Sequence, residues 1–171
     1  MISDPNSILS QCDFRDDMTV ADLGAGSGAY TFALAPRVPK GKIYAIEVQK
    51  DFLTTIKALA EKQKLANIEV LWATIEKVGG TKIADGVIDR AIVSNVLFQL
   101  EDRDLFAREV SRILKPGGQV IVVDWSDAYT GLGPKDLFSK EQATKLFTEQ
   151  GFTLLKTLDA GAHHYGVVFQ K

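Results

Sequence analysis

Of 171 residues, one is a cysteine (Cys12) and two are histidines (His163 and His164). A single thiol closes no intrachain disulfide and builds no cysteine metal cluster, which fits a reducing compartment, the cytoplasm. Two adjacent histidines make a poor metal site, because neighbouring side chains on a strand face opposite ways. An excess of charge of either sign is also lacking, with 20 Lys and Arg against 22 Asp and Glu. A net charge of -2 gives no electrostatic reason to expect nucleic acid, whose binders usually carry a basic face. Lys50, Lys57 and Lys64 fall on one expected helix face, read as solvated surface. No apolar run approaches the ~20 residues of a membrane span. Residues 1–10 lack the basic-then-apolar pattern of a signal peptide. With 46% hydrophobic residues the chain can bury a full core, and the expectation is one cytoplasmic domain over residues 1–171, residues 1–18 forming a short lead-in.

What is present is an alternation of short apolar runs and longer amphipathic segments, the pattern of a parallel α/β sheet. Ser3 to Cys12 reads as a leading helix with Asp4 as cap and Pro5 at its first position. Strands are expected at Thr19 to Leu23, Ile43 to Val48, Ile68 to Trp72, Val87 to Ser94 and Gln119 to Asp124. Helices are expected at Ala29 to Val38, with Pro36 kinking or shortening it, at Lys50 to Lys64, and at Asp102 to Leu114. Lys115-Pro116-Gly117-Gly118 stops the last of these. Thr74 to Asp85 is less regular. After a loop, Trp125 to Phe138, comes a helix from Lys140 to Gln150 capped by Ser139. Phe152 to Leu158 and Tyr165 to Gln170 then read as strands, and the few residues between them cannot make a parallel crossover, which needs about a dozen. They are expected to form an antiparallel hairpin.

The first strand runs into Gly24-Ala25-Gly26-Ser27-Gly28, and a helix-compatible segment follows. Such a turn lets a ligand lie against the backbone at a helix start. The acid before it, Asp22, is unlike a phosphate loop, where a carboxylate would repel the phosphate. It suits a ligand with positive charge and hydroxyls, and S-adenosylmethionine is one. Asp22 also fits a plainer role, a turn-forming acid bonded to backbone amides. Glu47 ends the second strand about 20 residues beyond the turn, where its oxygens can accept from both hydroxyls of a ribose. Gly24, Gly26, Ala29 and Glu47 also fit the fingerprint of NAD-dependent oxidoreductases, which stays as an alternative; Asp22 stands against it.

These motifs, Val20 to Gly28, Ile43 to Val48, Asp85 to Leu97 and Leu114 to Gly118, together with the terminal hairpin, resemble class I S-adenosylmethionine-dependent methyltransferases. The chain looks most like the small domains of the ubiquinone/menaquinone-biosynthesis type. The resemblance implies a single doubly wound (Rossmann-like) α/β sheet of seven strands, in the order 3-2-1-4-5-7-6 with strand 7 antiparallel. It implies S-adenosyl-L-methionine as cofactor, S-adenosyl-L-homocysteine as product, and a binding set of Asp22, Gly24, Ala25, Gly26, Gly28, Glu47, Val48, Thr74, Ile75 and Asn95. Relatives often place an acid after strand three to accept from the adenine amino group. Thr74 holds that position here, and a hydroxyl accepts more weakly than a carboxylate. Ile75 would cover the ring.

Methyl transfer from a sulfonium needs alignment and exclusion of water more than a general base. The catalytic residues are accordingly unassigned, with His163, His164, Tyr165 and Asp124 as candidates at the same sheet edge; a merely polar hairpin turn is the plainer reading of the histidines. Trp125 and Asp127 lie nearby, and Trp125 reads equally as a substrate wall or as core. Ser94-Asn95-Val96-Leu97 lacks the Asn-Pro-Pro-Tyr of many amino-methylating enzymes. A small-molecule acceptor follows from the resemblance. The little sequence available to cover the site favours instead a protein or RNA acceptor, a homodimer or other partner subunit, or a methyltransferase-like domain without catalysis. No metal is expected.

Overall fold

The computed structural model describes residues 3–127 and 134–171; residues 128–133, inside the loop expected from Trp125 to Phe138, lie outside the described residues. A seven-stranded sheet runs in the order β3-β2-β1-β4-β5-β7-β6, with β1 (Thr19–Leu23), β2 (Lys42–Glu47), β3 (Ile68–Trp72), β4 (Ile88–Ser94), β5 (Leu114–Trp125), β6 (Thr153–Leu158) and β7 (His164–Gln170). Neighbours from β3 through β5 pair parallel, while β7 runs antiparallel to both β5 and β6. Order and direction agree with the sequence-based expectation.

The central strands read as near-continuous apolar runs because both faces are covered. Alternate residues point to opposite sides. Val20, Ile92, Ile121 and Val123 join a core with Ile8 and Leu9 of α1 (Pro5–Leu9) and Ala33 and Leu34 of α2 (Ala29–Leu34). Ala21, Leu23, Ala91, Val93 and Val122 face Phe106 and Val110 of α4 (Arg103–Ile113) and Leu146 and Phe147 of α5 (Lys140–Glu149). The remaining helix, α3 (Lys50–Lys62), turns Leu53, Ile56 and Ala60 inward.

Three segments depart from the expected boundaries by more than two residues. The leading helix is only Pro5–Leu9, although Asp4 caps it as expected, accepting from Asn6 N and Ser7 N. α2 stops at Leu34, short of Val38, because Pro36 has no N–H to continue the ladder. Lys115 to Gly118 ends α4 as expected but then joins β5 as a bulge opposite Asp89, the register stepping from Ile88↔Leu114 to Arg90↔Gln119. Its backbone is claimed from outside: Gly117 N donates to Lys171 O and Lys171 N to Gly118 O, and Asp89 accepts from Lys115 Nζ at 2.8 Å.

The irregular segment after β3 is fixed by one buried acid. Glu109 of α4 accepts from Gly79 N (2.7 Å), from Thr81 N (3.1 Å) and from Thr81 Oγ1, and pairs with Arg112. Despite burial, those donors, Arg112 first, hold its pKa down at about 2. Glu109→Ala strands these donors, and the expected cost in denaturant unfolding is roughly 3–5 kcal/mol. Because the folded pKa lies below the ordinary glutamate value of 4.5, the contribution is complete above that value and is lost as the pH falls from there through about 2. A cost that stayed constant down to pH 2 would contradict this assignment.

Candidate functional site

At the carboxyl end of β1 the chain turns through Gly24 and Gly28 with φ of 78° and 86°, in the left-handed region that glycine tolerates. A Cβ at Gly24 would lie 2.8 Å from a Val96 methyl, and one at Gly28 would lie 2.9 Å from Ile56 and Phe32. Between them, a Cβ at Gly26 would meet nothing within 4 Å. The loop is stitched to β2. Gly24 N and Ala25 N both donate to Ile46 O at 2.9 Å. The Glu47 carboxylate accepts from Gly26 N on one oxygen (3.0 Å) and from Val48 N and Gln49 N on the other (2.7 and 3.0 Å).

A cleft of about 530 Å³ opens there, between the ends of β1, β2, β3 and β4. Asp22, Gly24, Ala25, Gly26, Glu47, Val48, Thr74, Ile75 and Asn95 all line it; Gly28 does not, and serves packing behind the loop. Ser3, Tyr30, Gln49, Phe52, Glu76 and Ser94 line it as well, though none was assigned a binding role from the sequence. Phe52 and Gln49 could have been found from their place beside Glu47, and Ser94 from its place beside Asn95. Tyr30 and Ser3 carry no local signal.

Asp22 is 3% exposed and accepts from Thr31 Oγ1 at 2.6 Å. Burial raises its pKa to about 6 against that bond, and the nearby Glu47 charge adds to the rise. Thr74 Oγ1 accepts from Glu76 N at 3.3 Å, which leaves its hydroxyl proton to donate. The Tyr30 hydroxyl is buried beside Ser94 and Ser3, and burial raises its pKa to about 12 against their hydrogen bonds.

The candidate catalytic residues cluster beside the cleft rather than on its wall, since none of His163, His164, Tyr165 and Asp124 lines it. Asp124 accepts from Leu97 N and from Trp125 N, both at 2.8 Å, clamping the chain that follows β4. Burial raises its pKa to about 6. Tyr165 donates to Phe138 O at 3.0 Å from within the core, and burial pushes its pKa far up. His163 Nδ1 lies 3.0 Å from both carboxylate oxygens of Asp127. His164 is buried, its Nε2 3.0 Å from Asn95 Oδ1, with the Trp125 ring 4.3 Å from its own. Among the described residues no group of three or more His, Cys, Asp and Glu side chains could hold a metal ion.

Comparison with known proteins shows the family. A family model described as a methyltransferase domain matches residues 14–162. The arsenite methyltransferase of Aquipseudomonas alcaligenes is 35% identical over 120 residues, covering 67% of this chain and 34% of that protein. A demethylmenaquinone methyltransferase of Lactococcus lactis subsp. lactis is 29% identical over 110 residues, covering 64% and 42%. The chain thus spans well under half the length of these two curated relatives. The crystal structure of a SAM-dependent methyltransferase from Aquifex aeolicus superposes with a TM-score of 0.88 at 26% identity, covering 99% of this chain and 90% of that one.

The buried acid has a stability signature. With a folded pKa of about 6, above the ordinary aspartate value, Asp22 binds more protons in the native state than in the unfolded one between about pH 4 and pH 6. Its contribution is present below that window and lost as the pH rises through it. Wild type should therefore lose roughly 2–3 kcal/mol against Asp22→Asn between pH 4 and pH 7. Denaturant unfolding of both at stepped pH checks this, and Asp124, present in both, cancels. Parallel profiles would contradict it.

Proposed function

The chain belongs to the methyltransferase domain family, and from that premise we propose that it transfers a methyl group from S-adenosylmethionine to a small-molecule acceptor. The observation that carries the proposal is the pair of carboxylates on either side of the glycine turn, Glu47 and Asp22, both facing one cleft. The cleft's residues fit the cofactor. Glu47 accepts three backbone N–H groups, two on one oxygen and one on the other, and the lone-pair site left on the second oxygen suits a ribose hydroxyl. Asp22, mostly ionised above its pKa of about 6, suits the positive charge of the methionine portion. Val48, Phe52 and Ile75 supply apolar surface for adenine, and Thr74 offers a donor to a ring nitrogen where an acid would accept from the amino group. An NAD-dependent reading fits less well, because Asp22 would face the pyrophosphate.

The bound sulfonium would supply an already activated methyl group. The chain's own work is then to orient both partners and exclude water, which explains a cleft whose carboxylates, Asp22 and Glu47, serve binding rather than proton transfer. Arsenite and demethylmenaquinone, in the names of the relatives, are small acceptors, which favours that class here. The lone Cys12, free in the structure, supports a cytoplasmic setting; among the described residues no helix is long and apolar enough to cross a membrane.

Calorimetric titration with S-adenosylmethionine and S-adenosylhomocysteine, with NAD as control, tests the reading. Both adenosyl ligands should bind, and S-adenosylmethionine should bind more tightly as the pH rises through about 6, a dependence that Asp22→Asn removes. Glu47→Ala should weaken both by roughly 10- to 100-fold, the loss of charge-assisted hydrogen bonds worth about 1.5–3 kcal/mol. Binding of NAD alone would overturn it.

A further inference from the structure

Asn95 stands at the carboxyl end of β4 with φ of 56°, a backbone conformation few residues other than glycine adopt. Every group it carries but one is engaged. Its N–H donates to Val123 O at 2.8 Å, and its C=O accepts from Gln99 Nε2 at 2.9 Å. Its Oδ1 lies 3.0 Å from His164 Nε2. Oxygen only accepts, so Nε2 carries the ring proton and Nδ1 the lone pair. His164 is 5% exposed, its Nδ1 has no partner, and Trp125 stacks beside it. Burial lowers its pKa, and the neighbouring His163 adds to this while Asp127 opposes it, so the ring is neutral near neutral pH. The imidazole is a buried donor fixed in one tautomer.

With Oδ1 taken by His164, the NH2 end of the carboxamide is what Asn95 has left for the cleft it lines. The direction matters beside a sulfonium. An unconstrained amide would turn its oxygen toward a cation, whereas an N–H end repels a cation and attracts an electron-rich atom. We infer that His164 is a positioning residue that locks the Asn95 carboxamide with its NH2 toward the cleft, to receive an electron-rich atom of the methyl acceptor, most simply an oxygen, and not the cationic centre of the cofactor. Tyr30 and Ser94 line the same cleft and add neutral hydroxyls. The inference rests on the methyl-transfer reading above.

The test combines a spectroscopic signature with a binding ratio. In wild type without ligand, long-range proton–nitrogen correlation should show His164 protonated at Nε2 and bare at Nδ1, and the Asn95 side-chain NH2 as one fixed pair of resonances. In His164→Leu the pair should lose its separation, and the freed amide, turning its oxygen to the sulfonium, should raise the affinity for S-adenosylmethionine relative to S-adenosylhomocysteine by about 3- to 10-fold, a hydrogen bond's net worth. His164→Gln places an N–H donor where Nε2 stood and should restore both the fixed pair and the wild-type ratio. A proton on Nδ1 in wild type, or an unchanged ratio in His164→Leu with His164→Gln folded and binding, would overturn the inference. If neither ligand binds wild type although the tautomer and the fixed pair are seen, the methyl-transfer reading fails and the acceptor role fails with it.

Discussion

One carboxylate holds the site together. Glu47, at the last position of β2, accepts from Gly26 in the turn after β1 and from Val48 and Gln49 in its own loop. The two loops thereby become one rigid rim, and the cleft has a floor of fixed shape. The place is dictated by the sheet. β1 has β2 on one side and β4 on the other, so the loops leaving their carboxyl ends part in opposite directions and leave a crevice between them. Without Glu47 the glycine turn, which has few side chains to pack, would be tied to β2 by the two bonds to Ile46 O alone.

The charge arrangement follows from that geometry. Glu47 is anchored by amides and Asp22 by the Thr31 hydroxyl, so the acids face one cleft from different strands. Burial leaves Asp22 poised near pH 6, where a cation entering the cleft would favour its ionised form. Opposite them, the end of β4 is organised by Asp124, which accepts from Leu97 N and Trp125 N and so sets the bend that presents Asn95. The cleft therefore has an anionic side and a side of neutral donors. Such a division suits a cationic methyl donor meeting an electron-rich acceptor.

Much of this was legible in the sequence because it is local. The strands announce themselves as apolar runs bounded by turn residues, the glycine turn follows its strand directly, and Glu47 stands at a strand end. What was not legible depends on partners far along the chain. Lys115 to Gly118 reads as a helix stop, and only the pairing with Lys171 draws it into β5 as a bulge. Asp124 and His164 read only as candidates for reactive groups at a sheet edge, with a polar hairpin turn the plainer reading of the histidine. In the fold they are turned into the protein, one to clamp backbone amides and the other to hold Asn95. Tyr30 shows the reverse: a helix residue with no motif, whose hydroxyl ends up beside the ligand space because α2 starts at the glycine turn.

The most direct test is a crystal structure with S-adenosylhomocysteine bound. A ribose hydroxyl should lie on Glu47, the ammonium toward Asp22, and the sulfur on the Asn95 side of the cleft, with the glycine turn unmoved. A ligand seated elsewhere, or in this cleft with its ribose away from Glu47, would contradict this placement.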